Sequence, residues 1–271
     1  MIAMAKLITL GSHLNFSSLS STKFIKELNL DVDISYEHSI DSAFKALLGA
    51  DYLVLPIENA IDGYIQRTLD LIYKYDYFIT HVNELPVDFS LVTNEVSLDL
   101  VDTIYVQFKA KNQCLNFLES LPKVKYIITD SNSESLNKLL THEKSSAAII
   151  PKHLIDRHFL LTIHNIHDDE LNHTRFAFIE KHPTMPKDKE HLKALLSIQP
   201  KKDDVGLLYN LLQHFKNLNI NLSSIISRPK TDKTSPYHFF LEINTKLDQL
   251  SALTTRLASD NQLNIKILGV Y

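Results

Sequence analysis

Thr174 stands in D-D-E-L-N-H-T-R-F, residues 168–176, where a hydroxyl opens an apolar run that reads as a strand. A threonine is too weak an acid to do more than donate a hydrogen bond to an oxygen on which charge develops. Strand alternation puts Thr174 and Phe176 on one side and Arg175 on the other, so Arg175 is expected to brace the domain rather than catalyse. In L-P-I-E-N-A-I-D-G-Y-I-Q-R-T-L-D-L-I, residues 55–72, Glu58 and Asn59 are expected just past a strand end. Asn59 can donate to a carboxylate. Glu58 can orient neighbours, hold a proton, or serve as a structural or helix-capping acid. Gly63 is expected to begin the next helix, with Arg67 and Thr68 one turn in, near backbone N–H groups that favour anions. Thr68 reads equally as an ordinary helix residue. Ser17 precedes a helix and reads first as its N-cap, second as a substrate contact.

Metal chemistry finds little support. The chain has 13 histidines, and His164, His167 and His173 cluster near Asp168 and Asp169. Their spacing matches neither H-E-x-x-H nor a zinc pattern, so no metal is expected. The single Cys114 excludes an intrachain disulfide and reads as a buried thiol on a helix.

At 271 residues the chain suits two domains, each with its own core. Its 44% hydrophobic and 22% charged residues exclude disorder and fibrous repeats. With 28 Lys and Arg against 32 Asp and Glu, a net charge of -4 and no basic cluster, a nucleic-acid partner is not expected. No apolar run approaches the roughly 18 residues that span a bilayer, and the first residues read as a strand rather than a signal peptide. A cytoplasmic protein without membrane contact is the expectation.

Residues 180–190, E-K-H-P-T-M-P-K-D-K-E, form the clearest seam and are read as a linker. Beyond it, apolar runs and stripes at helical spacing alternate as β-α-β-β-α-β over 191–271, with a break at R-P-K-T-D-K-T-S-P, 228–236. Before it, strands are expected at 6–10, 51–56, 77–84, 89–93, 103–106, 125–128, 147–150 and 175–180. Helices are expected at 17–28, 39–50, 64–73, 109–121, 132–141 and 152–158. That alternation predicts an α/β domain with ligand-binding loops at the carboxyl ends of its strands.

Several segments together resemble the prephenate dehydratase family over almost the whole chain. Residues 55–72 are similar to its P-I-E-N-S, G and T-L-D-L-L block, 168–176 to its N-x-T-R-F ending, and G-S-H-L-N-F-S, 11–17, to a weakened G-P-x-G-T-F-S. N-L-S-S-I-I-S-R-P, 221–229, and Y-H-F-F, 237–240, resemble the ACT domain of the same enzymes. The resemblance implies a two-lobed, type 2 periplasmic-binding-like α/β catalytic domain over 1–181, with lobe one at 1–80 plus 161–181 and lobe two at 81–160. A ferredoxin-like ACT domain would occupy 191–271.

It also implies a cofactor-free lyase that converts prephenate to phenylpyruvate, carbon dioxide and water, with Thr174, Glu58 and Asn59 as catalytic residues. Substrate would be held by Asn15, Ser17, Gly63, Thr68, Asn172 and Phe176, and L-phenylalanine sensed by Gly206, Leu207, Leu208, Ser227, Arg228 and Pro229. A homodimer or homotetramer is implied, and no chorismate mutase segment is expected before the first strand. Departures from the family pattern are Ser12, Leu14 and Asn15 for proline, glycine and threonine, Ala60 for serine, Val205 and Leu207 for proline and alanine, and Ile226 for glutamate. They keep open a second reading: a catalytically weakened relative that binds and senses an aromatic acid or amino acid.

Overall fold

Apolar runs and amphipathic helices alternate from the first residues. The computed structural model describes residues 4–121, 123–142, 144–181, 190–202, 204–229, 237–260 and 262–271. The chain opens with β1 (Ala5–Leu10), α1 (Phe16–Glu27), β2 (Val32–Glu37), α2 (Ile40–Ala46), β3 (Tyr52–Asn59), β4 (Gly63–Tyr64), α3 (Gln66–Tyr75) and β5 (Phe78–Pro86). A second body follows: β6 (Phe89–Thr93), β7 (Thr103–Gln107), α4 (Phe108–Asn112), α5 (Leu115–Glu119), β8 (Lys125–Thr129), α6 (Asn132–Thr141), β9 (Ser146–Pro151) and β10 (Leu161–Ile163). β11 (His173–Glu180) then returns to the first sheet, where it lies antiparallel between β3 and β5.

β1 runs parallel between β2 and β3, the pairing that helical crossovers α1 and α2 permit. α3 shows why such helices dock: Thr68, Leu69, Leu71 and Ile72 form its buried stripe. The second sheet has the order β10-β6-β9-β7-β8 and its own core around Leu91, Ile104, Val106 and Ile149. The first sheet and the second form two lobes.

The C-terminal part comprises β12 (Leu192–Pro200), α7 (Leu207–Asn217), β13 (Asn221–Pro229), β14 (Tyr237–Thr245), α8 (Leu247–Ala258) and β15 (Leu263–Val270). Its βαββαβ order gives the sheet β13-β14-β12-β15. Alternation along β12 explains its continuous apolar run: Ala194, Leu196 and Ile198 pack with Leu211, Phe215 and Leu253 of the two helices, while Leu195 joins Phe240 and Leu268 in the first lobe's core.

The two sheets are one. β15 pairs parallel with β5 at Gly269 and Ile79, so the C-terminal sheet continues that of the first lobe. A side chain at Gly269 would bring its Cβ to 2.6 Å from Ile79 Cβ and 2.9 Å from the Ile79 carbonyl oxygen, so glycine is what lets the strands meet. Reading 191–271 as a separate unit behind a linker missed this joint. The linker's residues 182–189 and most of the 228–236 break lie outside the described residues.

Other expectations need correction. β5 runs to Pro86, past the boundary set at 80, and only two residues separate it from β6, leaving no polar break to read. β10 belongs to the second lobe's sheet, so the return to lobe one starts at β11 rather than at 161. The helix expected at 109–121 is two short helices: Gln107 Oε1 caps α4 by accepting from the Lys109 and Ala110 N–H groups, and the Asp168 carboxylate starts α5 by accepting from those of Leu115 and Asn116. The helix expected at 152–158 is one 3₁₀ turn, Lys152–Leu154. Among the described residues no helix is long and apolar enough to cross a membrane.

Candidate active site

β3 extends through Glu58 and Asn59 instead of ending before them, because both residues are paired on two sides, with β11 and with β4. Asn59 lies opposite Thr174, and Glu58 opposite Arg175. The pleat therefore sorts two sequence motifs at once: the amide and the hydroxyl face one side of the sheet, the acid and the guanidinium the other.

On the first side lies a cleft of about 620 Å³ between the lobes, with Thr174, Asn59 and Phe176 in its wall. Asn59 Nδ2 donates to Thr174 Oγ1 at 3.1 Å and also lies 3.0 Å from Asn172 Oδ1 and 3.2 Å from the His173 carbonyl. Asn59 Oδ1 accepts from the Ile61 and Asp62 N–H groups, both at 3.1 Å. The carboxamide is thus fully engaged, and the expectation that it grips a carboxylate gives way to a positioning role. With one lone pair of Oγ1 filled by Asn59, the Thr174 hydroxyl is left to donate its proton into the cleft.

Asn15, Ser17 and Gly63 also line the cleft. Asn15 rather than Ser17 caps α1: its Oδ1 accepts from the Ser18 N–H at 2.8 Å and its Nδ2 donates to the Leu10 carbonyl at 2.9 Å. Gly11 makes room for that side chain, since its φ is +89° and a Cβ there would sit 1.8 Å from Asn15 Nδ2. Gly63 belongs to β4, not to a helix start.

Three residues expected at the substrate lie elsewhere. Glu58 points away from the cleft to Arg175. Thr68 is fully buried and donates to the Pro56 carbonyl at 3.0 Å, so the ordinary helix reading holds, while Arg67 pairs with Asp41 on the surface. Asn172 is buried behind the wall as a partner of Asn59.

The second lobe supplies what sequence reasoning missed. Gln107, Lys109 and Gln113, the start of α6 at Ser131–Ser133, and His153 all face the cleft. Lys109 is the one Lys or Arg among the described lining residues, and its ammonium meets Asp62 of the first lobe at 3.3 Å. His153 Nε2 lies 3.0 Å from the Leu14 carbonyl, which can only accept, so Nε2 carries the proton; burial holds the imidazole's pKa below its ordinary value, keeping it neutral. Two polar contacts therefore cross the cleft between the lobes. Leu14, at the position where the resemblance gives glycine, has φ of +73°. Phe16, Val87, Phe89 and Leu154 add apolar surface to the lining, and Asp130 adds a second acid beside Asp62.

Behind the wall, Arg175 Nη1 donates to Glu58 Oε2 at 2.6 Å and to Glu242 Oε2 at 2.9 Å, and Nη2 donates to Glu242 Oε1 at 2.7 Å. Glu242 comes from β14, so the pair joins the first lobe to the C-terminal domain. Tyr64 and Tyr271 also donate to the Glu242 carboxylate. Burial alone would raise its pKa, but the bonds from Arg175 and Tyr64 outweigh that and hold it at about 2.

Elsewhere, Gly206 caps α7, Leu207 and Leu208 open that helix, and Ser227, Arg228 and Pro229 end β13, with Arg228 Nη1 donating to Asp70 of α3 at 2.7 Å. Cys114 is fully buried and its thiol is pushed up to about 12, an inert packing group. No cluster of His, Cys, Asp and Glu among the described residues is arranged to hold a metal.

Fold and cleft define a two-lobed α/β protein with a cavity between the lobes and a βαββαβ unit joined edge to edge. The profile of the prephenate dehydratase family matches residues 7–184, and the chain belongs to that family. It is similar to the bifunctional chorismate mutase/prephenate dehydratase of Aquifex aeolicus, 30% identical over 82% of this chain, and spans 61% of that relative's length. The structure of prephenate dehydratase from Staphylococcus aureus superposes with a TM-score of 0.83 at 27% identity, covering 98% of this chain and 99% of that one. A prephenate dehydratase from Arthrobacter aurescens in complex with L-Phe shares the fold, with a TM-score of 0.82 at 21% identity over 98% of this chain and 90% of that one.

Proposed function

We propose that this chain is a carbon–oxygen lyase acting on prephenate in phenylalanine synthesis. As the carboxylate on the ring departs as carbon dioxide, its bonding electrons enter the ring, and the ring hydroxyl leaves with the electrons of its C–O bond and takes up a proton from solvent to end as water. The observation that carries this reading is the Asn59–Thr174 bond at 3.1 Å, which frees the threonine hydroxyl to donate to the departing oxygen. Lys109 gives a dianionic substrate a cation in the cleft, and the apolar lining gives its ring a surface. Ala60 is exposed and stands outside the cleft lining, so the serine missing there takes no hydroxyl from the cavity wall.

The same reading makes the C-terminal unit an ACT domain that senses L-phenylalanine, the ligand of the Arthrobacter relative's structure. Ile226, in place of the family's glutamate, packs against the first lobe's core, so an effector ammonium meets no charge from that position and the response is weakened. β13 lies at the end of its sheet, and its edge suits the homodimer or homotetramer that the resemblance implies. A cytoplasmic location suits this biosynthetic role.

Phenylpyruvate formation from prephenate by the purified protein tests the reading. Turnover supports the lyase. Prephenate binding without turnover favours the sensor, the reading motivated by Ala60, Leu14 and Ile226.

A further inference from the structure

Thr174 and Arg175 are consecutive residues of one strand with opposite destinations. Thr174 faces the cleft, while Arg175 enters an ionic cluster with a buried Arg175–Glu242 pair at its centre, to which four separate strands bring an acid or a phenol. Glu58 comes from β3, Glu84 from β5 with Oε1 3.8 Å from Arg175 Nε, Glu242 from β14, and Tyr64 from β4; Tyr271 follows β15, and Lys193 of β12 approaches Glu242 at 3.7 Å. The Arg175 and Glu242 side chains are 7% and 2% exposed, so neither can exchange its partner for water without the domains moving apart. The β11–β3 register shifts between Arg175 and Phe176, one residue past Thr174. A bulge bends the strand it interrupts, and here the bidentate grip of Glu242 on Arg175 fixes the backbone beside it. Tyr64 gives a second route: it lines the cleft and donates to the same Glu242 carboxylate.

We propose that Arg175, held by Glu242, is a positioning residue that sets the Thr174 hydroxyl, so that the placement of the C-terminal domain controls turnover in the cleft. Glu242 has two arrangements available. Docked, it neutralises Arg175 and orders β11. Displaced, it leaves Arg175 to Glu58 and Glu84 and releases the strand behind Thr174. An effector that favours the displaced arrangement would lower turnover without touching the cleft. The proposal rests on the prephenate dehydratase reading.

The test compares Glu242→Gln with Lys266→Ala in the full chain. Lys266 of β15 forms another interdomain ion pair, with Asp76 after α3 at 2.7 Å, and touches neither β11 nor the cleft lining. Misplacing a reacting group by 1 Å costs on the order of 100-fold, so Glu242→Gln is expected to lower kcat about 10-fold or more with KM within about twofold, while Lys266→Ala keeps both. Phenylalanine, used as the effector probe, should lower wild-type kcat and leave that of Glu242→Gln unchanged. Unaltered kcat in Glu242→Gln, the same loss in Lys266→Ala, or an equal response of wild type and Glu242→Gln to phenylalanine, including none, would overturn the proposal. Should Glu242→Gln not fold, Tyr271→Phe decides in its place: it removes only the 3.0 Å bond to Glu242, and a fall in kcat at constant KM supports the proposal while unchanged kcat overturns it. Wild-type protein that does not turn over prephenate would sink the underlying reading instead.

Discussion

Asn59 and Thr174 face each other across the β3–β11 pair, with the carboxamide donating to the hydroxyl oxygen at 3.1 Å. The amide thereby decides the direction of the threonine's own proton. Replacing Asn59 by Asp turns the donor into an acceptor, and the Thr174 proton should turn toward the carboxylate and away from the cleft. Removing a single oriented donor typically costs about 100-fold or more in kcat. Steady-state kinetics of Asn59→Asp should show that loss in kcat, with KM little changed; near-native kcat would deny the amide its orienting role.

Leu14 adopts φ of +73° while half exposed, and a left-handed L residue costs roughly 1–2 kcal/mol, of which glycine's greater freedom in the unfolded chain returns a part. Leu14→Gly should therefore raise the free energy of unfolding by about 0.5 kcal/mol, and Leu14→Val should lower it. Denaturant titration separates the two; a destabilised glycine variant would show that Leu14 contributes packing that outweighs its backbone.

Gly269 lies against Ile79 at the joint between the two domains' strands. A methyl group there meets the Ile79 backbone, and overpacking of this kind costs about 1–3 kcal/mol. Gly269→Ala should lower the melting temperature, whereas Gly49→Ala, which meets nothing within 4 Å, should not. Equal melting temperatures would mean the joint yields freely.

Acid should unfold the protein partly through Glu242. Its native pKa of about 2 lies below the ordinary 4.5, so the unfolded chain binds the proton first. The stabilisation is complete above pH 4.5 and is lost as pH falls toward 2, on the order of 3 kcal/mol in all. Unfolding free energies measured between pH 7 and pH 3 should fall more steeply for wild type than for Glu242→Gln; parallel curves would contradict the assignment.

How far these relationships were legible in sequence follows from their range. Alternation alone separated Thr174 and Phe176 from Arg175, and periodicity located β6 at 89–93 and α6 at 132–141 to the residue. Glu58 was misread because its partner lies 117 residues away and nothing nearby in sequence marks it as one half of an ion pair. Glu242 did leave a signal: it is one acid within the otherwise apolar core of Y-H-F-F-L-E-I, and a charge buried in a central strand requires a partner. β2 escaped notice because V-D-I-S-Y-E buries little at the sheet's edge. Lys109 and His153 became visible only once two lobes faced each other.

The central claim is that the Thr174 hydroxyl serves the departing oxygen. The most direct measurement is kcat for phenylpyruvate formation by Thr174→Ala and Thr174→Ser, with prephenate binding followed in parallel. Alanine should lower kcat about 100-fold or more while binding is kept, and serine, which retains the hydroxyl, should recover most of it. An alanine variant as fast as wild type would contradict the account.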